Sequence, residues 1–411
     1  DKSVTIMLVH IFPDAIDKYD SVNNSKFEDR RCEILKIALI CTEKLPVPPV
    51  SGGAIQQYID GILPYLSRYH EVTVFCIAHP SLPEQETADG VNYIRVPGRN
   101  KEEYLNNVMT QLKDEFDIVH VFNRPRWVPV LGKKLKNAKF SLSIHNEMFL
   151  PEKIPAETAV ECIEMVEFIT TVSKFIADGI RRLYPIADGK LNVVYSGVDV
   201  DKYQPWWSEN GTNNKAELKS KLGKDKIVLY VSRLSPKKGS DIVLKAMGKV
   251  MEYRNDVALV VVGSKWYGSN KSDDYIRSLK SFSEKMKGPV LFTGFVPPSE
   301  MADFFSLGDI FLCASQWEEP LSRVHYEAMA AGLPIITTNR GGNAEVVSRE
   351  YGNGIEIDDY SNPDEFADAI NYLLDNPDAA FEIGKKGRSL AVLRYNWERV
   401  ANDLLQLFQR A

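Results

Sequence analysis

Lys226 to Met247 reads KIVLYVSRLSPKKGSDIVLKAM. A short apolar, β-rich run gives way to a cationic turn shaped by Pro236 and Gly239, and then to an apolar pattern of helical period. A strand without polar alternation that hands over to a helix fits a parallel sheet covered on both faces. The unit recurs downstream in VALVVVGS, PVLFTGFV, DIFLCAS, LPIITTN and GNGIEID. Upstream, the same rhythm begins at Lys36 and runs through KIALICTE, HEVTVFCIA, VNYIRVP, DIVHVFN, FSLSIHN, FITTVS and NVVYSGVD. Helix-period segments such as GAIQQYIDGILPYLSRY lie between several of these runs. The two series are separated by DVDKYQPWWSENGTNNKAEL, where Pro, Gly and Asn break the alternation. At 411 residues the chain is also too long for one core. The expected fold class is α/β, with two Rossmann-like doubly wound domains facing across a cleft. The expected boundaries are an extension of unclear role over 1–35, an N-terminal domain over 36–197, a C-terminal domain over 198–392 and a last helix over 393–411. For the extension, an extra strand, a docking arm and a non-native remnant remain open.

Composition narrows the partners. Lys and Arg are spread along the chain and outnumbered by acids, with a formal net charge of -6, so no nucleic-acid partner is expected. Cys32, Cys41, Cys76, Cys162 and Cys313 lie far apart, most in apolar runs, and read as buried free thiols in a reducing compartment. The apolar run Val4–Phe12 is far short of the ~20 residues that span a bilayer, and it lacks a small-residue cleavage site. A cytoplasmic protein is expected, in which the sequons at Asn23 and Asn210 carry little weight.

In open α/β sheets, ligands bind beyond the carboxyl ends of the strands. After the first strand, Gly52 and Gly53 precede a helix, where bare backbone approaches a ligand closely and the helix N-terminus faces an anion. Taken alone, the pair reads better as a plain loop. Arg233 ends the first strand of the second half and Lys238 opens the following helix, a placement suited to a diphosphate or to solvent. Further on, EEPLSRVHYEAMAAGLPIITTNRGG (Glu318–Gly342) sets two carboxylates, Glu319 and Glu327, eight residues apart. With a helix beginning near Leu321, Glu319 falls in the preceding loop and Glu327 about two turns later on a similar face. Ionised carboxylates only accept hydrogen bonds, which suits hydroxyl pairs of sugars or ribose. The free N–H groups of Leu321, Ser322 and Arg323 would face phosphate.

In this order VSRLSPKKG, VVGS, FTGFV, DIFLCAS, Glu319-x7-Glu327, EAMAAGLPII and GGNAEVV resemble the retaining family-four glycosyltransferases of the GT-B fold, over residues 36–411. CTEKLPVP, HVFNRP, SIHNEMF and CASQWEEPL extend the likeness to bacterial spore coat members. The resemblance implies an N-terminal acceptor side and a C-terminal donor side. It implies Gly53 against donor phosphates, Arg233 and Lys238 on the diphosphate, Glu327 on ribose, Glu319 on the transferred sugar, and Phe295 and Val296 around the base. It sets His145 near the transferred sugar and the last helix back on the first domain. His145 also reads as an internal histidine capping its own strand. The donor so implied is a nucleotide-diphosphate sugar, a UDP-sugar first, acting as co-substrate without cofactor or metal. The acceptor is an unknown glycan, lipid or small molecule, with Asn123, Arg124 and Trp127 of NRPRW as its candidate contacts. Trp127 reads equally as packing. Peripheral association with a membrane or a spore coat stays open.

One departure stands out: where the family has Pro-Phe-Gly-Leu, this chain has Pro320-Leu321-Ser322-Arg323, which leaves the loop less backbone freedom and the donor sugar undefined. Asp199-Val200-Asp201 mimics a metal-binding Asp-x-Asp but sits in the interdomain segment and reads as structural. Nothing resembles a zinc site. Two rivals share the fold: a nucleotide-sugar epimerase and a non-catalytic coat protein.

Overall fold

The first sheet is built from β1 (Lys36–Ile40), β2 (Glu71–Ile77), β3 (Gln85–Ala88), β4 (Val91–Val96), β5 (Ile118–Phe122), β6 (Lys139–Ile144), β7 (Val166–Thr171) and β8 (Leu191–Val193). Their order is β3-β4-β2-β1-β5-β6-β7-β8, and β1 at the centre is buried at every position but its first. All pairings are parallel except β3 with β4. The helices of this half are α1 (Ala54–Leu66), α2 (Lys101–Gln111), α3 (Trp127–Lys134), α4 (Ala156–Met165) and α5 (Lys174–Leu183). This computed structural model describes residues 33–208, 214–265 and 273–411. The chain divides into two units, Asp1–Leu35 and Lys36–Ala411. Of the first unit, residues 33–35 are described and form neither helix nor strand. Cys32 and both sequons lie outside the described residues.

The second sheet holds β9 (Lys226–Val231), β10 (Val257–Val262), β11 (Val290–Gly294), β12 (Ile310–Cys313), β13 (Ile335–Thr338) and β14 (Gly354–Ile357), in the order β11-β10-β9-β12-β13-β14 and parallel throughout. Its helices are α6 (Asn214–Leu222), α7 (Ser240–Tyr253), α8 (Asp274–Ser283), α9 (Met301–Leu307), α10 (Val324–Ala330), α11 (Pro363–Asp375) and α12 (Pro377–Arg394), followed by α13 (Trp397–Phe408). The period of two along β9 explains why its apolar run is unbroken. Val228 and Tyr230 join one core with residues of α7 and α11, while Ile227, Leu229 and Val231 join another with residues of α10 and α12.

The chain returns to the first half at its end. Val198 bridges to Asn396, which caps α13 by accepting the N–H of Arg399 at 2.8 Å. Trp397 then lies edge-on to Tyr58 of α1, so close to Gly61 that a Cβ there would stand 2.3 Å from the indole. Phe408 at the far end packs on His120 and Phe168 of the first sheet. Cys41, Cys76, Cys162 and Cys313 are buried free thiols. Among the described residues no helix is long and apolar enough to cross a membrane.

Candidate active site

The carboxyl ends of β1, β5 and β6 and those of β9 and β12 border one cavity of about 620 Å³. Gly53, Asn123, Arg124 and His145 line it from the first half, and Arg233, Lys238, Glu319, Leu321, Ser322 and Arg323 from the second. A smaller neighbouring cavity of about 170 Å³ is lined by Gly52, Gly53, Phe295, Val296, Arg323 and Glu327. The residues singled out in the sequence therefore meet in one cleft, with the exception of Trp127.

Glu319 is held by one oxygen. Its Oε2 accepts from Lys238 Nζ at 2.5 Å, Trp317 Nε1 at 2.8 Å and Ser315 Oγ at 3.0 Å. Burial would push this carboxyl up, but Lys238, Ser315 and Trp317 outweigh it and hold the group below the usual carboxylate range. Among the described residues no donor lands on Oε1. The backbone of Glu319 is clamped from behind: its carbonyl accepts from Gly342 N–H at 2.8 Å, and a Cβ on Gly341 would stand 2.0 Å from that oxygen. Gly341 also has φ 60, so this contact requires glycine twice over. The Gly341–Gly342 pair was quoted in the sequence only as a family mark, and its support of Glu319 had no local signal.

Helix α10 begins at Val324 with Arg323 as N-cap, not near Leu321. Ser322 N–H is taken by Asn343 Oδ1 at 3.2 Å and does not face a phosphate. The N–H groups of Leu321, Arg323 and Val324 have no acceptor among the described residues. The Arg323 side chain crosses the cleft: it donates to Gln57 Oε1 of α1 at 3.0 Å and Ser196 Oγ at 2.9 Å, lies over the Trp397 ring, and approaches Glu327 Oε1 at 3.5 Å. Burial pushes the Glu327 carboxyl up, and Arg323 pulls in the opposite direction. Lys238 lies in a short 3-10 turn, Pro236–Lys238, whose exit at Gly239 caps α7. Arg233 is exposed beyond the end of β9.

On the other wall, Gly53 is the N-cap of α1 with φ 103, and a Cβ there would meet Gln56 Oε1 at 2.3 Å. His145 stands edge-on to Tyr58, and its backbone N–H is held by Asn123 Oδ1 at 3.0 Å. Burial, with Arg323 nearby, lowers the imidazole to about 3, so His145 is a neutral hydrogen-bonding group at physiological pH. Asn123 is 3% exposed and Arg124 is locked in a two-pronged pair with Glu43, Nε to Oε2 at 2.8 Å and Nη2 to Oε1 at 2.7 Å. Both line the cavity while making these contacts. Trp127 is 5% exposed, sits in the hydrophobic core against Tyr104, and offers no face to the cavity. Lys44, exposed on the loop after β1, lines the cavity and was missed in the sequence because a lone lysine carries no pattern. Asp199 Oδ1 accepts the N–H groups of Asp201 and Lys202 at 3.0 and 2.9 Å, a turn that uses the carboxylate structurally.

Residues 213–390 match the profile of Glycosyl transferases group 1, and residues 53–202 that of Glycosyltransferase Family 4. Spore coat protein SA of Bacillus subtilis is 45% identical over 92% of this chain and 100% of its own length. The putative glycosyltransferase YtcC of the same organism is 40% identical over 91% of this chain and 92% of its own. Among solved structures, Anabaena Alr3699/HepE in complex with UDP-glucose superposes with a TM-score of 0.73 at 18% identity, covering 92% of this chain and 100% of that one. Sucrose-phosphate synthase from Thermosynechococcus elongatus gives 0.74 at 21% identity, covering 92% and 98%. These last two bear on the fold.

Proposed function

Because the chain belongs to the group 1 glycosyltransferases, with family 4 in its N-terminal half, we propose that it moves a hexose-type sugar from a UDP-sugar to an acceptor hydroxyl, with retention of configuration and without a metal. The observation that carries this reading is the three-donor hold on Glu319 Oε2, with Lys238 as one donor, at the mouth of a cavity bordered by both sheets. The arrangement leaves Oε1 for sugar hydroxyls. An ammonium has three N–H groups, so Lys238 keeps two for a phosphate while it holds Glu319. UDP as the nucleotide is supported by the HepE complex with UDP-glucose, whose fold this chain shares.

In the proposed reaction the diphosphate lies between Gly53, Arg233 and Lys238, and Glu327 takes the ribose hydroxyls. The bond from the anomeric carbon to the phosphate oxygen breaks as the sugar becomes cationic. Fixed positive charge from Arg233 and Lys238 stabilises the departing diphosphate. The acceptor oxygen bonds to the same face of the anomeric carbon, and its proton passes to the leaving phosphate oxygen. His145, neutral, serves as hydrogen-bond partner to the sugar. The acceptor is a glycan, a lipid or a small molecule. The enzyme works in the cytoplasm and associates with a spore coat, as the name of the Bacillus subtilis relative suggests for that protein.

The test is a calorimetric panel of nucleotide sugars, followed by product analysis of the tightest donor with acceptor mixtures. Transfer to an acceptor supports the proposal. A free, altered nucleotide sugar with no acceptor consumed points to the epimerase, and absence of nucleotide binding points to a coat protein that keeps only the fold.

A further inference from the structure

The turn that supports Glu319 from behind also reaches the opposite half of the cleft. Gly341 and Gly342 lead into a short 3-10 turn, Asn343–Glu345. From it the Glu345 carboxylate caps the N-terminus of α5, in the first half. Oε2 accepts from Lys174 N–H at 2.7 Å and Oε1 from Phe175 N–H at 2.8 Å, while Tyr195 OH donates to Oε2 at 2.9 Å. Ser173 completes the cap by accepting from Ile176 N–H at 3.3 Å. Gly342 meets the same spot, since a Cβ there would stand 2.8 Å from Ser173 Cβ. A carboxylate on helix N–H groups is a charge-assisted contact favoured by the helix dipole, and it holds only while the two halves stay together.

We propose that Glu345 is a positioning residue that couples closure of the cleft to the orientation of Glu319. The coupling runs through three peptide units. Glu345 fixes its turn to α5, the turn fixes Gly342, and Gly342 N–H together with the close approach of Gly341 fixes the Glu319 backbone. When the halves part, the α5 amides lose their acceptors and the Glu319 loop loses the support that aims its carboxylate into the cavity. Glu345 itself is absent from the lining of that cavity, so its effect is on assembly of the site and not on contact with substrate. The proposal rests on the glycosyltransferase reading for what Glu319 does, but the clasp itself can be read without any activity.

The experiment compares wild-type protein with Glu345→Ala and Glu345→Gln. Amide hydrogen exchange at Lys174 and Phe175 reports the clasp, and the Ile176 amide, capped by Ser173, is the internal control. Glu345→Ala should lose protection at the first two amides and keep it at the third. Its kcat should fall roughly 10- to 100-fold, the scale of a misplaced catalytic group, with UDP affinity unchanged. Glu345→Gln keeps one acceptor oxygen and should recover part of both. Unchanged protection at Lys174 and Phe175 in a folded Glu345→Ala overturns the clasp. A kcat that stays at wild type, or that falls in step with UDP affinity and the thermal midpoint in both variants, overturns the coupling. If wild-type protein transfers no sugar from any donor, the reading of function fails, and the exchange data still decide whether Glu345 holds the halves together.

Discussion

The Lys238 ammonium sits 2.5 Å from Oε2 of Glu319, and the two come from loops at the ends of neighbouring strands, β9 and β12. Each needs the other. Glu319 is 6% exposed and would be raised by burial, yet its partners depress it. A carboxyl depressed in the folded state adds stability above its unfolded pKa, and that stability is lost as pH falls through the folded value. Lys238→Ala should therefore lower the unfolding free energy from urea titration at neutral pH by about 1–3 kcal/mol and flatten its fall on mild acidification. Turnover should drop by ~10²-fold, as for a lost charge-stabilising donor. Wild-type turnover in a folded Lys238→Ala would remove Lys238 from the reaction.

Glu327 behaves in the opposite sense. Burial raises its carboxyl in spite of Arg323, so folding holds the proton more tightly than the unfolded chain does. Its stabilising contribution is full below the unfolded pKa and is lost as pH rises through the folded one. At neutral pH Glu327→Gln should thus fold at least as stably as wild type, while UDP binding weakens by roughly 1.5–3 kcal/mol, the range for charged hydrogen bonds. Arg323→Leu should push the carboxyl higher still, so that the pH dependence of UDP affinity shifts to higher pH than in wild type. Calorimetry over a pH series reads both effects. UDP affinity unchanged in Glu327→Gln would sink the ribose assignment.

How much of this was legible depends on whether the cause was local. The alternating runs gave both sheets, because burial on both faces of a central strand is written into the strand itself, as β1 and β9 show. The exception is β3, whose QETA is too polar for an apolar run. Its signal was the Asp89-Gly90 turn, with φ 51 and 77, the conformation of a tight hairpin. The acids and cations of the cleft were legible because their spacing is local too. What joins the halves was not: Arg323 finds Gln57 across 266 residues and Glu345 finds Lys174 across 171, and no periodicity encodes such meetings. For Trp127 the sequence left acceptor contact and packing both open, and its contact with Tyr104, 23 residues away, is what makes it core.

Metal independence is open to direct test. In the proposed reaction Arg233 and Lys238 would supply the charge a divalent ion gives, and Asp199 is engaged by the N–H groups of its own turn. EDTA should leave transfer nearly intact, and Asp199→Asn should act on stability and not on a metal response. Activity abolished by EDTA and restored by Mn²⁺ would return Asp199 and Asp201 to the site.

The stereochemical outcome follows from which carboxylates face the sugar. Double displacement needs a nucleophilic carboxylate on the face of the anomeric carbon opposite the leaving group, about 5 Å from the acid. An inverting route needs a general base on that same face. Among the described residues lining the larger cavity, Glu319 is the only carboxylate, and Lys238, Ser315 and Trp317 tie its Oε2. Its free oxygen is suited to hydroxyls, and neutral His145 is too weak a base, at about 3, to take the acceptor proton. Front-face attack is left, with the departing diphosphate as proton acceptor. A UDP-α-sugar should then give an α-linked product, visible in the anomeric proton coupling of the first product formed. A β linkage would mean that a base outside these residues acts, and that Glu319 has another role than holding the sugar.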